Sequence, residues 1–496
     1  MNTPIKDNFF ERMEALGLAL TFDDVRLKSG YSEIDPNNVS VKSLFSKNIS
    51  LKIPLVSAAM DTVTETRMAI EMAKLGGLGI IHRGIDPETQ ARAVEKVKIH
   101  LNGLVERPIT VTPDQTIEQI KNKSEEKNYN FQSFPVLDSK DKLVGIITKN
   151  DFEMNSNIHS KIKKIMTARE HMTTAPLGTT LEEAYKIMLQ SKKKVLPLVN
   201  KGKLAGMYVF SDVMRLLSGI STSYNIDKNG HLLVGAAVGT GEEAFRRAEL
   251  LSNAGVDVIV IDTAHGDSKN VYETLKTLKK NFSKIDIVTG NVSEGESAKR
   301  LADAGADGIK VGQGPGSICT TRIVAGIGCP QVTAVYNCAK ALRGSGVPVC
   351  ADGGVRNSGD IPIAIGAGAH SVMLGRTLAG TTETPGVVKD TLQGRFKIYR
   401  GMGSLGAMKS SKASRERYRQ DKISIDKVVP EGVESIVPYQ GDVSNVIHKQ
   451  VGGLRSGMGY VGANSITSLQ EKADFHRISN AGLAESHPHD INITDN

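Results

Sequence analysis

Residues 306–322 read Ala306-Asp307-Gly308-Ile309-Lys310-Val311-Gly312-Gln313-Gly314-Pro315-Gly316-Ser317-Ile318-Cys319-Thr320-Thr321-Arg322. A short apolar run (Ile309, Val311) leads into Gly312, Gly314 and Gly316, which alternate with Gln313 and Pro315. The run has the character of a strand, and the glycines permit backbone angles closed to residues with a β-carbon. The segment is therefore a strand ending in a shaped loop that presents one thiol. Cys319 is a candidate nucleophile, and the loop around it a candidate binder of something anionic.

The same kind of run recurs on both sides of this stretch. Apolar runs occur at 53–57 and 78–82, and again at 232–238, 256–261, 285–289, 308–311, 347–351 and 371–374. Helical patterns at 64–75, 242–254, 271–280, 294–304 and 361–367 lie between them, and Gly76-Gly77 stops the first as a helix C-terminus should. Two runs before a long gap and six after it make eight βα units. Eight strands buried on both faces predict an α/β fold, a parallel (β/α)8 TIM barrel; a doubly wound open sheet is the alternative.

The gap, residues 93–219, holds an internal repeat. One copy contains Pro108-Ile109-Thr110-Val111, Phe134-Pro135-Val136-Leu137 and Leu143-Val144-Gly145-Ile146-Ile147-Thr148. The other contains Thr174-Ala175-Pro176, Leu196-Pro197-Leu198-Val199 and Leu204-Ala205-Gly206-Met207-Tyr208-Val209. The repeated order of strand, helix, paired strands and helix resembles a tandem pair of cystathionine β-synthase (CBS)-type modules, which commonly bind purine nucleotides. A structural insertion is the plain alternative. The expected organisation is a first barrel part over 1–92, an inserted α+β regulatory domain over 93–219, and a second barrel part over 220–496.

Bulk properties narrow the class. At 496 residues the chain exceeds one average domain. No apolar run is long enough to span a bilayer, and the N-terminus lacks the apolar core of a secretion signal. Four cysteines without a CxxC pair argue against disulfide or zinc frameworks and for a cytoplasmic, reducing setting. The net charge of +8 suits an anionic small molecule. Nucleic acid is the weaker reading, because Lys161, Lys163, Lys164 and Lys192, Lys193, Lys194 lack interleaved aromatics.

In a parallel barrel, function gathers at the C-terminal ends of the strands. Met60, Asp262, Asn291, Cys319, Asp352 and Gly375 each follow one of the runs. Cys329, Cys338 and Cys350 read as small buried hydrophobes, whereas Cys319 stands among polar and glycine residues whose amides favour a thiolate. Asp352-Gly353-Gly354 and Leu374-Gly375-Arg376, after the last two strands, read as a phosphate cradle. Asp262 either contacts the ribose or carboxamide of a second ligand or caps the next helix. No GxGxxG follows a strand, so a dinucleotide is not held in the Rossmann manner. Residues 400–440 are rich in Gly, Ser and charge and read as a mobile flap carrying Arg415, Arg417 and Tyr418.

With these motifs the chain resembles the inosine-5'-monophosphate (IMP) dehydrogenase family, of the bacterial type with tandem CBS-type modules, over essentially its whole length. The likeness rests on Gly314-Pro315-Gly316-Ser317-Ile318-Cys319-Thr320-Thr321, Val56-Ser57-Ala58-Ala59-Met60-Asp61, Ala351-Asp352-Gly353-Gly354 and Tyr399-Arg400-Gly401-Met402-Gly403-Ser404-Leu405. It implies that Cys319 attacks carbon 2 of the hypoxanthine, that hydride passes to NAD, and that the covalent adduct is hydrolysed to xanthosine monophosphate. It further implies Arg417 as water activator with Tyr418 and Thr321 assisting. Met60, Ser317, Asp352, Gly354, Gly375, Arg376, Tyr399, Gly401, Met402, Gly403 and Glu431 would line the substrate site. Asp262, Asn291, Gly312 and Gly314 would serve the cofactor. A potassium ion would lie on the carbonyls of Gly314, Gly316 and Cys319, completed by Glu485, Ser486 and His487 of a neighbouring subunit in a homotetramer, with octamers left open. Gln313, where a hydrophobe is usual, and Arg376, where a small residue is usual, depart from the family pattern. The rivals are a guanosine monophosphate (GMP) reductase, expected to lack the insertion and the arginine flap, and a non-catalytic nucleotide sensor.

Overall fold

The computed structural model describes residues 8–101, 104–105, 108–126, 133–218 and 220–491. The chain divides into two compact units, residues 1–100 with 223–496, and residues 101–222. Residues 93–98, which the sequence reading assigns to the insertion, belong to the first unit because they complete the helix Pro87–Lys98. That helix starts on Pro87 with the Asp86 carboxylate accepting from the Thr89 amide, a preferred opening. At its end, Lys98 Nζ lies 2.9 Å from both Asp227 and Asp257. The points where the chain leaves and rejoins the first unit are thereby held together.

Eight parallel strands close into a barrel. They are β1 (Leu55–Ser57), β2 (Leu78–Ile81), β3 (Gly235–Val238), β4 (Val258–Asp262), β5 (Asp286–Val292), β6 (Gly308–Val311), β7 (Val349–Asp352) and β8 (Ser371–Leu374). The pairs Gly235↔Ile80 and Val372↔Leu55 join the strands before the insertion to those after it. The open-sheet alternative is thus set aside. Residues of β4, β5 and β6 are buried throughout, which is why these runs read as continuous apolar stretches rather than alternating ones. The barrel's lower end is filled by the hairpin Ser43–Leu44/Ser50–Leu51, whose Phe45 and Leu51 pack with Val56, Ile80, Val258, Val288 and Met373. A plugged base leaves the C-terminal ends of the strands for ligands. Among the described residues no helix is long and apolar enough to cross a membrane.

Two segments take their structure from partners distant in the sequence. The polar stretch 400–440 is ordered by the antiparallel pairing of Gly394–Arg400 with Glu434–Pro438, which ties its two ends. Within it lie two short helices, Leu405–Ser410 and Lys412–Arg417. The glycine-rich run 451–460 belongs to the longest helix, Val443–Val461. Its glycines serve close packing: β-carbons at Gly457 and Gly459 would come within 2.8 and 2.7 Å of the rings of Pro362 and Pro36.

The second unit contains two small sheets, each with its own core. One core gathers Val111, Ile117, Phe134, Val136, Ile147 and Phe152, the other Ala175, Ala184, Met188, Leu196, Leu198 and Tyr208. The two repeat copies exchange their first strands. Leu104–Val105 pairs with Lys203–Val209 of the second copy, while Thr167–Ala168 pairs with Leu143–Ile147 of the first.

Candidate active site

A cavity of about 440 Å³ opens at the C-terminal ends of the strands, and the loop after β6 forms one wall. The loop's shape depends on its glycines: Gly312 has φ +146° and Gly314 φ +77°. A β-carbon on Gly314 would come within 2.6 Å of the Arg322 side chain, which crosses behind the loop to bond Gln313 O at 3.0 Å and Cys329 O at 2.5 Å. The far side of the loop is held by residues 431–433, since the Thr320 amide donates to Glu431 O and the Val433 amide to Ile318 O, each at 3.0 Å. Cys319 is thus fixed from both sides. Its thiol remains half-buried at the cavity, 3.2 Å from Thr321 Oγ1.

Of the other cysteines, burial pushes Cys350 up to about 12 and Cys329 to about 11, and it raises Cys338 further. All three are neutral thiols near pH 7. The sequence reading of small buried hydrophobes holds for Cys338 and Cys350, whereas Cys329 is only half-buried.

Most of the predicted ligand residues meet in this one cavity. Met60, Ser317, Asp352, Gly354, Gly375, Arg376, Tyr399, Gly401, Met402 and Glu431 line it, as do Asp262, Asn291, Gly312, Gly314 and Gly316, and Thr321, Arg417 and Tyr418. Gly353 and Gly354 carry φ of +94° and +89°, and a β-carbon on Gly353 would come within 3.0 Å of Pro315. Gly375 leaves room for the Tyr399 hydroxyl, which a β-carbon would approach to 2.9 Å. Desolvation raises the Tyr399 phenol well above its ordinary range, so it stays protonated.

Gly403 does not line the cavity. It lies against the Tyr418 ring, which a β-carbon would meet at 2.6 Å, so its part is to seat that tyrosine. Glu485, Ser486 and His487 lie outside the cavity of their own chain, at the end of the exposed helix Asn480–Glu485. Gln313 is buried rather than disruptive: its Oε1 accepts from Ser293 at 2.9 Å and its Nε2 donates to Ala264 O at 3.2 Å.

Sequence reasoning missed the centre of the site. Lys310 points inward from β6 and is 2% exposed, with Nζ 2.5 Å from Asp352 Oδ2, 3.0 Å from Asp262 Oδ1, and bonded to Asn291 Oδ1. Asn291 in turn donates to Asp352 Oδ2 at 2.9 Å and Gly312 O at 2.7 Å. One ammonium therefore ties together three residues that the sequence placed at three separate strand ends. The available signal was a lysine between Ile309 and Val311 in a run otherwise built for burial. The flap reaches the same cluster, because Arg417 is ion-paired with Asp262 Oδ2. Tyr418, next in the chain, lines the cavity too, its phenol raised by burial.

Among the described residues no group of three or more His, Cys, Asp or Glu side chains could hold a metal ion. A cation at the Cys319 loop would have to be held by carbonyl oxygens, a hard donor set suited to an alkali ion. Of the three carbonyls in question, Gly316 O already accepts the Cys319 amide at 3.0 Å and keeps one lone pair.

The profile of the family described as "IMP dehydrogenase / GMP reductase domain" matches residues 19–489, almost the whole chain and every element of this cavity. The chain belongs to the IMP dehydrogenase / GMP reductase family. Relatives agree: the inosine-5'-monophosphate dehydrogenases of Aquifex aeolicus and of Staphylococcus saprophyticus are 50% and 47% identical, each over 96% of both chains. Among solved structures, a cysteine-to-alanine variant of the GMP reductase of Trypanosoma brucei, in complex with guanosine 5'-monophosphate, superposes with a TM-score of 0.89 at 39% identity, covering 97% of this chain and all of that one. The same reductase with guanosine 5'-triphosphate gives 0.78 at 36%, covering 94% of this chain and all of that one. These coverages correct one expectation: a GMP reductase can carry a counterpart of residues 101–222, so the insertion does not separate the two activities of the family.

Proposed function

We propose that this chain oxidises inosine 5'-monophosphate to xanthosine 5'-monophosphate with NAD, as a step of guanine nucleotide synthesis. The observation that carries the reading is the meeting of the Cys319 thiol and the Arg417–Tyr418 pair in one cavity. A thiol alone serves either member of the family; a hydrolytic second step also needs a group that handles water.

In this reading the amides of Gly354 and Gly375, with Ser317 and Arg376, hold the 5'-phosphate, and Asp352 accepts from the ribose hydroxyls. Met60 and Met402 lie against the base, whose polar edge faces the 401–403 backbone and Glu431. Cys319 Sγ bonds to carbon 2, the hydride on that carbon leaves for NAD, and a thioimidate remains on the enzyme. Water then adds at carbon 2, the C–S bond breaks, the thiol returns and xanthosine monophosphate leaves. Asp262 and Asn291 serve the dinucleotide in the first half. Asp262 is ion-paired with Arg417, so in this reading the dinucleotide ribose and the docked flap compete for it and the flap docks once NADH has gone. Arg417 then brings a buried Nε with no partner among the described residues, a donor available to water.

A monovalent cation on the carbonyls of Gly314, Gly316 and Cys319 would steady the loop, with Glu485, Ser486 and His487 of a neighbouring subunit closing the set. That arrangement requires an oligomer, in keeping with a homotetramer. A cytoplasmic setting keeps the thiol reduced.

The deciding experiment incubates the protein with inosine monophosphate and NAD, with and without potassium, and follows NADH. Turnover stimulated by potassium supports the reading. Product formed only from GMP with NADPH assigns the reductase activity instead, and no turnover with either pair assigns a sensor. With turnover in hand, Arg417→Ala is expected to leave a rapid burst of about one NADH per site and slow the steady state about 10²–10³-fold, the scale for loss of a group that positions or activates water. Equal slowing of both phases removes Arg417 from the water step.

The second unit is proposed to be a tandem CBS-type regulatory module that binds purine nucleotides. Joining His100 to Ser223 by a short linker is expected to leave turnover within about twofold, since the Lys98–Asp227 contact already holds both ends. It should abolish any modulation by purine nucleotides. Loss of the folded barrel would make the unit structural.

A further inference from the structure

The flap helix makes a second charged contact besides that of Arg417. Arg83 follows β2, and Glu416 immediately precedes Arg417 on the helix Lys412–Arg417. Arg83 Nη1 lies 3.3 Å from Glu416 Oε2, with the arginine side chain 5% exposed and the glutamate 27%. The arginine's place is built into the barrel: a β-carbon on Gly239, just after β3, would come within 2.7 Å of Arg83 Nη1. Desolvation brings this guanidinium down to about 10, with Arg417 acting in the same direction and Glu416 and Glu243 opposing. Glu243 is already engaged by Arg247 at 2.7 Å, so Glu416 is the carboxylate that pairs with Arg83. The other oxygen of Glu416 faces Lys412 at 3.6 Å, a solvent-exposed pair of little weight.

We propose that Arg83 and Glu416 are positioning residues forming a charge lock that sets the register of the docked flap. Two adjacent flap residues of opposite sign, Glu416 and Arg417, meet two barrel residues of opposite sign, Arg83 after β2 and Asp262 at the end of β4. A slip of the flap by one residue would set arginine against arginine or glutamate against aspartate, in each case against a buried barrel residue. Only the docked register satisfies both pairs, and the Ala264 amide meets Arg417 O at 3.4 Å in the same register. The proposal rests on the reading of Arg417 as the residue that handles water after hydride transfer.

The test compares the full-length enzyme with Glu416→Gln, Arg83→Met and the double variant, following the NADH burst and the steady-state rate with inosine monophosphate and NAD. Each single variant is expected to lower the steady-state rate about tenfold, with the burst rate within about twofold and the covalent adduct accumulating. The double variant should be no slower than the slower single, because both remove one lock. Wild-type turnover in Glu416→Gln overturns the proposal, as does a double variant slowed by the product of the two single effects. Because Arg83 is buried, Glu416→Gln keeps the test decisive if Arg83→Met fails to fold. Absence of NADH from the unmodified enzyme overturns the activity reading itself and this proposal with it, whereas a normal burst without a lock effect overturns the proposal alone.

Discussion

Replacing Cys319 by alanine is expected to abolish NADH formation from inosine monophosphate and NAD, by a factor on the order of 10⁴–10⁶, the scale found when a covalent nucleophile is removed. The substitution takes away one sulfur atom at a half-buried position, and the loop's other supports stay in place: the backbone bonds to residues 431–433 and the Arg322 strut. Binding of inosine monophosphate, measured directly by calorimetry, should therefore survive within about tenfold, equivalent to roughly 1.4 kcal/mol. A fall in rate of less than about a hundredfold would make the thiol a packing residue and the reaction non-covalent. The remaining cysteines supply the control. Cys329 and Cys350, held up at about 11 and about 12, and Cys338, raised beyond them, are protonated near neutrality. Alkylation at pH ~7.5 should label Cys319 first, and bound nucleotide should protect it.

The largest expected effect on stability comes from Lys310→Met. The lysine is 2% exposed and its ammonium is shared by Asp352, Asp262 and Asn291. Methionine fills much the same space but leaves the buried Asp262 and the partly buried Asp352 without that cation. Removing one partner of a buried ionic group costs about 3–5 kcal/mol, because the remaining charge stays desolvated. Arg417 compensates Asp262 only while the flap is docked, and Asp352 keeps, among the described residues, its bond from Asn291. Denaturant unfolding followed on the barrel should show this as a lower midpoint at unchanged slope. The KM for inosine monophosphate should rise as well, because Asp352 is the carboxylate proposed to meet the ribose. An unchanged midpoint would mean that the cluster's charges are compensated elsewhere, and that Lys310 is not its keystone.

The parts of this protein legible in the sequence share a property: each rests on local pattern. The runs 308–311 and 371–374 coincide with β6 and β8, and the helix pattern at 294–304 with the helix Gly295–Asp303. A strand buried on both faces has to be apolar at nearly every position, and a helix has to repeat its apolar residues every turn. Gly312 and Gly314 were legible for a similar reason, since their positive φ is a requirement of single residues. From such local signals the sequence by itself determined eight βα units, an insertion carrying an internal repeat, and a thiol on a glycine loop at a strand's C-terminal end; that the eight strands close into a barrel was settled by their pairing.

Other features have no local signature. The hairpin Gly394–Arg400/Glu434–Pro438 joins segments more than thirty residues apart, and its strands are half exposed, so no continuous apolar run marks them. The glycines of the helix Val443–Val461 look like loop formers until Pro36 and Pro362 are seen against them. The charged contacts are the clearest case. Lys310 meets Asp262 and Asp352, Arg417 meets Asp262, and Arg83 meets Glu416 across 333 residues. Which acid each cation selects depends on strand order and barrel closure, neither of which is written in any window of the chain. The sequence placed a candidate nucleophile at the end of a strand. The tertiary structure alone decided which acid each buried cation meets, around the cavity and at the segment carrying Arg417, because burial removes the water that would otherwise let any of these ions stand alone.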